Sequence, residues 1–370
     1  MKKPLNEKSV DCLTLEDCRK TIDEIDSRIV SLLSFRMKAA SRTGSIKETA
    51  GLPTLDQTRE TEVLERVMSL ARDELDRDFL RRVYAEIIAA SRAVQDRPKV
   101  SFLGPAGTFT HQAAAAVFGP LATLEAAASL GEVFSCIERR DCMFGVVPAE
   151  NSYEGSVDLT LDLLYTYDVH VVGEHLMPIR HQLLGNAEDV SSVSRIHSHP
   201  MALAQCSRWI ATHAPHAELK EEASTAAAAE KASREPASAA VAGAICAQTY
   251  SLDVLAPDVA DDPGNTTRFL MLGTRMQEPS GADKTSILFS LPHRPGALHS
   301  VLTPPADKGI DLTRIDSRPV KGRAWEYLFF VDLEGHAMDE KVKLVLEEMR
   351  ACCTHLRVLG SYPAFRAGQE

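Results

Sequence analysis

At 370 residues the chain exceeds one typical core, which implies two or three domains. Hydrophobic residues make up 44% and charged residues 25%, the balance of an ordinary globular protein. A net charge of −11 argues against nucleic acid as a partner, and no apolar run is long enough to span a membrane.

The opening stretch MKKPLNEKSV has two lysines with no apolar run behind them, so no signal peptide is expected. Eight scattered cysteines without a CxxC fit a reduced, cytoplasmic compartment. Three textures follow one another. Residues 1–97 are helical and charge-rich, residues 98–275 alternate short strands with helices, and residues 284–370 read strand, helix, strand, strand, helix, strand. Pro98 marks the first boundary and the polar linker TRMQEPSGAD the second.

TLED at 14–17 predicts a capped helix start, with Thr14 as cap. Cys18, Ile22, Ile25, Ile29 and Leu32 then form an apolar stripe, and its next member is a charge, Arg36. Arg36 and Lys47 are eleven residues apart, about three turns, so they share a face. A helix over about 15–48 would be ~50 Å long, which predicts a dimer with intertwined helices. TLDQ at 54–57 predicts a second start and sets Asp56, Arg59 and Glu60 on one face. In a third helix Leu80, Tyr84 and Ile88 lead to Ser91 and Gln95. Charged groups on apolar faces need partners, and a dianionic ligand would supply them.

These segments resemble the all-helical chorismate mutases, the domain found in bifunctional P-proteins. The family's substrate-binding set falls on Arg19, Arg36, Lys47, Asp56, Arg59, Glu60, Ser91 and Gln95. The resemblance implies arginines on the two carboxylates of chorismate, and acidic groups on the ring hydroxyl. It also implies Lys47 and Gln95 as donors to the ether oxygen, with Glu60 beside them in the catalytic set and Arg19 reaching in from the other protomer. A pericyclic rearrangement needs no general base, only a held geometry and donors where charge grows.

In the next region KVSFLGPAGTFTHQ reads as strand, glycine turn and helix, with Thr110 the expected cap. It is neither GxGxxG nor a P-loop, and no cofactor is expected. A polar loop holds Asn151 and Ser152, and Ser224 and Thr225 stand at a helix start. His197 and His199 form an HxH that reads either as half a metal site or as a strand-to-helix corner; the corner is favoured and no metal is expected. In NTTRFLMLG, Thr266, Thr267 and Arg268 open a buried strand. Together with VVPAENSYEGSV, SHPMALAQC and STAAAA, these stretches resemble prephenate dehydratase. That resemblance implies two α/β lobes of the periplasmic-binding type with prephenate in the cleft. Thr267 would be the essential residue, with Asn151, Ser152, Thr225, Thr266 and Arg268 around the substrate. Arg268 is read as either a carboxylate partner or a structural one.

The last region resembles the ACT domain, a ferredoxin-like α+β module that binds phenylalanine in this family. The regulatory positions are Gly296, Ala297 and Leu298, and Asp316, Ser317 and Arg318. Asp316 departs from the family's glutamate. Pro304 and Pro305 fall where the family's helix continues, so the helix is expected to end early. The whole reading is a bifunctional P-protein that makes phenylpyruvate from chorismate under phenylalanine feedback. The alternatives are an amino-acid sensor with degenerate catalysis, and a dehydratase that prefers arogenate.

Overall fold

The computed structural model describes residues 14–50, 57–70, 76–95, 98–119, 122–319 and 327–364. These fall into two compact units, the helical region up to residue 97 (apart from residues 56–62) and the chain from Pro98 onward.

The helical region contains α1 (Leu15–Ala50), α2 (Gln57–Leu70) and α3 (Arg77–Gln95). Thr14 and Asp17 exchange the capping-box bonds that start α1. Acidic residues in the first turn and Lys47 in the last complement the helix dipole. α1 packs along α3. The Thr54 cap lies outside the described residues.

The second unit opens with a sheet lobe. Its elements are β1 (Lys99–Leu103), α4 (Phe109–Phe118), β2 (Thr123–Ala127), α5 (Leu130–Glu138), β3 (Phe144–Asn151), β4 (Gly155–Ser156), α6 (Asp158–Thr166) and β5 (His170–Pro178). A second lobe holds β6 (Gln182–Gly185), β7 (Arg195–Ser198), α7 (Pro200–Gln205), α8 (Ser207–His213), β8 (Glu218–Glu221), α9 (Thr225–Ala232), β9 (Ser238–Ala242), α10 (Ile245–Tyr250) and β10 (Asp253–Ala256). The chain then returns to the first lobe as β11 (Thr266–Gly273), which inserts between β3 and β5 and runs antiparallel to both. The strand orders are β2-β1-β3-β11-β5 and β10-β6-β9-β7-β8. The alanine run of α9 allows close packing on the equally small residues of β9.

Thr108, not Thr110, caps α4, accepting from the His111 backbone N–H at 3.2 Å. Thr110 sits inside the first turn. The HxH resolves into a corner: His197 is buried with Nδ1 3.0 Å from Glu222, and His199 caps α7.

The C-terminal module follows as β12 (Asp283–Ser290), α11 (Ala297–Asp307), β13 (Leu312–Pro319), β14 (Tyr327–Glu334), α12 (Glu340–Cys352) and β15 (His355–Pro363). Its antiparallel sheet has the order β13-β14-β12-β15. Strand alternation buries both faces. Ile287 and Phe289 meet α11 and α12, while Leu288, Phe330 and Leu359 join the core of the first lobe beside Leu161, Val171 and Leu270. α11 does not end early. It runs through Pro304 and Pro305. Pro304 has no N–H for the Ser300 carbonyl one turn back, and the Cys352 thiol approaches that oxygen at 3.7 Å instead.

Candidate functional site

A cleft of about 320 Å³ lies between the two α/β lobes. Of the residues expected around the substrate, Asn151, Thr225 and Thr267 line it. Thr267 comes from β11, Asn151 from the end of β3 beside it, and Thr225 from the first turn of α9 across the cleft.

The polar wall is a continuous chain of hydrogen bonds. The Asn151 side-chain oxygen accepts from the backbone N–H groups of Tyr153 and Glu154 at 2.9 and 3.3 Å, which fixes the amide's orientation. Its Nδ2 then donates to Thr267 Oγ1 at 2.9 Å and to Asn265 Oδ1 at 2.7 Å. Because the Thr267 oxygen is an acceptor in that bond, its own proton is available to a ligand. Asn265 donates onward to Gln205 Oε1 at 3.1 Å, and His181 Nε2 stands 3.0 Å from the same oxygen. An amide oxygen can only accept, so His181 carries its proton on Nε2. Burial pushes the pKa of His181 below its ordinary 6.5, against the raising effect of Gln205.

Among the described residues lining this cleft there is no lysine or arginine, and Glu154 brings a carboxylate. Positive potential comes from backbone instead. Thr108, Phe109 and Thr110 place the start of α4 on the cleft, and Ser224 and Thr225 place the start of α9 there. Helix N-termini with N–H groups and hydroxyls toward a ligand favour carboxylates.

Three expected substrate contacts lie elsewhere. Ser152 and Thr266 zip the Asn151 loop to β11: the Thr266 N–H donates to Ser152 Oγ at 3.0 Å and the Ser152 N–H to the Thr266 carbonyl at 2.9 Å. Arg268 points out of the opposite face of β11, because alternate residues of a strand face opposite ways. It is buried, with Nε 2.7 Å from Glu174 and Nη1 2.7 Å from Asp332. Sequence reasoning missed His181, His199, Gln205 and Thr108 as cleft residues. Residues 199, 202 and 205 recur at three-residue spacing along α7, a periodicity that marks one helix face.

In the helical unit Arg36 and Ser91 come together between α1 and α3. Arg36 Nη1 donates to the Ile87 carbonyl at 3.1 Å and to Ser91 Oγ. Lys47 lies further along α1 and Arg19 is exposed near its start. Arg59 pairs with Glu62 at 2.7 Å, and Glu60 is half-buried on α2. Asp56 and the Gln95 side chain lie outside the described residues.

On the C-terminal module Gly296 precedes α11 with φ 80°, a left-handed conformation that suits glycine. Ala297 is buried and Leu298 partly exposed. Asp316, Ser317 and Arg318 follow one another on β13. Asp316 accepts from Ser156 Oγ, and Arg318 pairs with Asp158 of α6.

The fold and cleft define a class: a two-lobed α/β protein of the periplasmic-binding type, carrying a ferredoxin-like module and preceded by a helical unit. Family models match the chain as chorismate mutase type II over residues 18–96, prephenate dehydratase over residues 100–277 and ACT domain over residues 285–351. The bifunctional chorismate mutase/prephenate dehydratase of Aquifex aeolicus (strain VF5) is 42% identical over 353 residues, covering 94% of this chain and 98% of that protein. The prephenate dehydratase of Arthrobacter aurescens, solved in complex with L-Phe, is 34% identical with a TM-score of 0.66, covering 72% of this chain and 90% of that one. GqqA, described as a novel type of quorum quenching acylase, superposes with a TM-score of 0.67 at 28% identity over 72% of this chain and 98% of its own, so the fold alone does not fix a reaction. The match along nearly the whole length does: the chain belongs to the bifunctional chorismate mutase/prephenate dehydratase family, with an ACT domain at its C-terminal end.

Proposed function

We propose that the helical unit rearranges chorismate to prephenate, that the two-lobed cleft converts prephenate to phenylpyruvate, and that phenylalanine acts through the ACT domain. The observation that carries the dehydratase reading is the Thr267 hydroxyl, oriented by Asn151 in a cleft walled by two helix N-termini. Prephenate loses CO2 and its ring hydroxyl. The electron pair of the breaking carbon–carboxylate bond enters the ring, which becomes aromatic, and the hydroxyl leaves with a proton as water. Aromatisation drives the step, so the protein supplies a donor to the leaving oxygen and no strong base. The α4 and α9 termini suit the substrate's carboxylates.

For the mutase, Arg36 on the buried Ser91 supports a carboxylate site, with Lys47 and Gln95 as donors to the ether oxygen and Asp56, Arg59 and Glu60 completing it. Arg19, exposed in the single chain, fits a site completed by a second copy, and we infer at least a homodimer. Asp316, Ser317 and Arg318 with Gly296, Ala297 and Leu298 form the phenylalanine-responsive part. The described cysteines are all free, which supports a reducing, cytoplasmic setting, and no helix among the described residues is long and apolar enough to cross a membrane.

The test is incubation of purified protein with chorismate and chromatography of the products, with and without phenylalanine. Phenylpyruvate, suppressed by phenylalanine, is expected. Prephenate accumulating alone would leave a mutase with an inactive or arogenate-selective dehydratase, and untouched chorismate would favour an amino-acid sensor.

A further inference from the structure

Arg268 sits at the centre of a buried charged cluster shared by two domains. Glu174 on β5 takes its Nε at 2.7 Å. The other two groups come from the ACT domain: Asp332 on β14 meets Nη1 at 2.7 Å, and the Tyr362 hydroxyl on β15 accepts from Nη2 at 2.9 Å. Lys284 on β12 binds Glu174 at 2.8 Å, and Ser286 donates to Asp332 at 2.5 Å. Two cations and two carboxylates thus meet there with Ser286 and Tyr362, beside the apolar side chains of Leu161, Leu270 and Leu359.

One residue before Arg268 stands Thr267, on the cleft side of the same strand. Thr267 and Arg268 pair with Asn151 and Glu150 of β3, and the ladder is interrupted just beyond them. Pairing between β11 and β3 shifts register between Arg268 and Phe269, opposite Pro148, which has no N–H to give. The backbone that aims Thr267 is held before it by the Ser152–Thr266 bonds and after it, where the β3 ladder shifts, by the anchored Arg268 side chain.

We propose that Asp332, a residue of the ACT domain, is a positioning residue for the dehydratase: it anchors Arg268 and thereby the Thr267 hydroxyl. The ACT domain is then part of the scaffold of basal catalysis as well as a module that responds to phenylalanine. The inference rests on the dehydratase reading given above.

The test uses the full chain, comparing wild type, Asp332→Asn and the double variant Asp332→Asn/Lys284→Met. The single variant leaves an excess buried cation. The double variant restores charge balance without restoring the anchor. Asp332→Asn is expected to lower dehydratase kcat by a factor on the order of 10², the scale of a 1 Å misplacement, with little change in KM and none in mutase turnover. The double variant is expected to recover the wild-type melting temperature while kcat stays low. A kcat that is unchanged in the single variant, or that returns with melting temperature in the double, overturns the proposal and leaves Asp332 a stabilising residue only. Wild-type protein that yields no phenylpyruvate from prephenate overturns the dehydratase reading itself, and this inference with it.

Discussion

Thr267 accepts a hydrogen bond from an amide that is itself fixed by two backbone N–H groups, so its own proton is left for whatever occupies the cleft. Replacing Thr267 with alanine removes that donor and leaves Asn151 with Asn265 as a remaining partner. Loss of one donor to a developing oxyanion costs about 10²–10³ in kcat. Thr267→Ala is therefore expected to reduce prephenate turnover on that scale and to leave chorismate turnover intact, measured on one preparation. Equal loss of both would remove the case for two sites. Thr267 was legible in the sequence because hydroxyls at the mouth of a buried strand match a motif. For Arg268 the sequence left a carboxylate-binding and a structural role both open. Alternation shows that residues 267 and 268 face opposite ways, but it cannot say which face meets the cleft. Arg268's carboxylate partners lie 94 and 64 positions away in the chain, at Glu174 and Asp332.

Between elements, β15 approaches β5 closely at Gly360. A Cβ added at Gly360 would lie 1.9 Å from the Val171 carbonyl oxygen and 2.8 Å from its carbon. These are backbone atoms of β5, held in the sheet by its pairing with β11, and cannot rotate aside as a side chain would. Gly360→Ala must separate the ACT sheet from the first lobe, opening the core that holds Leu288, Leu359 and Val171. Overpacking of this kind costs about 1–3 kcal/mol. A lower melting temperature and lower dehydratase kcat are expected, with mutase turnover retained; an unchanged melting temperature would show that the strands can part freely. Element order and type were readable from apolar periodicity and turn residues in the helical region and the C-terminal module, while between them only an alternation of strands and helices was readable, not the return of β11 to the first lobe. What periodicity could not show was the compensation in α11, where two prolines stay helical. The thiol near the Ser300 carbonyl comes from Cys352, on a different helix 52 positions along the chain. Nor could it separate Thr108 from Thr110 as a cap, since both are good capping residues two positions apart.

For the whole molecule, the helical unit is the part whose single chain falls short of a core. Among its described residues only Gly44, Ile88, Ser91 and Arg92 are buried. Large apolar side chains of α1 stand open, with Ile22 56% and Phe35 73% exposed. A 36-residue helix with such a face, about 54 Å long, supports the homodimer proposed above. Arg19 and Arg36 lie about 26 Å apart along that helix, too far to grip one small dianion from the same chain. The proposed two-fold dimer would give each mutase site Arg36 from one chain and Arg19 from the other. Arg19→Ala and Arg36→Ala homodimers should then both be poor mutases. Co-expression of the two makes mixed dimers in which one site lacks both arginines and the other has both. With random assembly half of the dimers are mixed, and mutase turnover should rise to about a quarter of the wild-type value while dehydratase turnover stays constant. Separately tagged chains purified in tandem isolate the mixed species for the assay. If those mixed dimers are no better than either parent, Arg19 serves its own chain, and the long helix spans the dimer for stability alone.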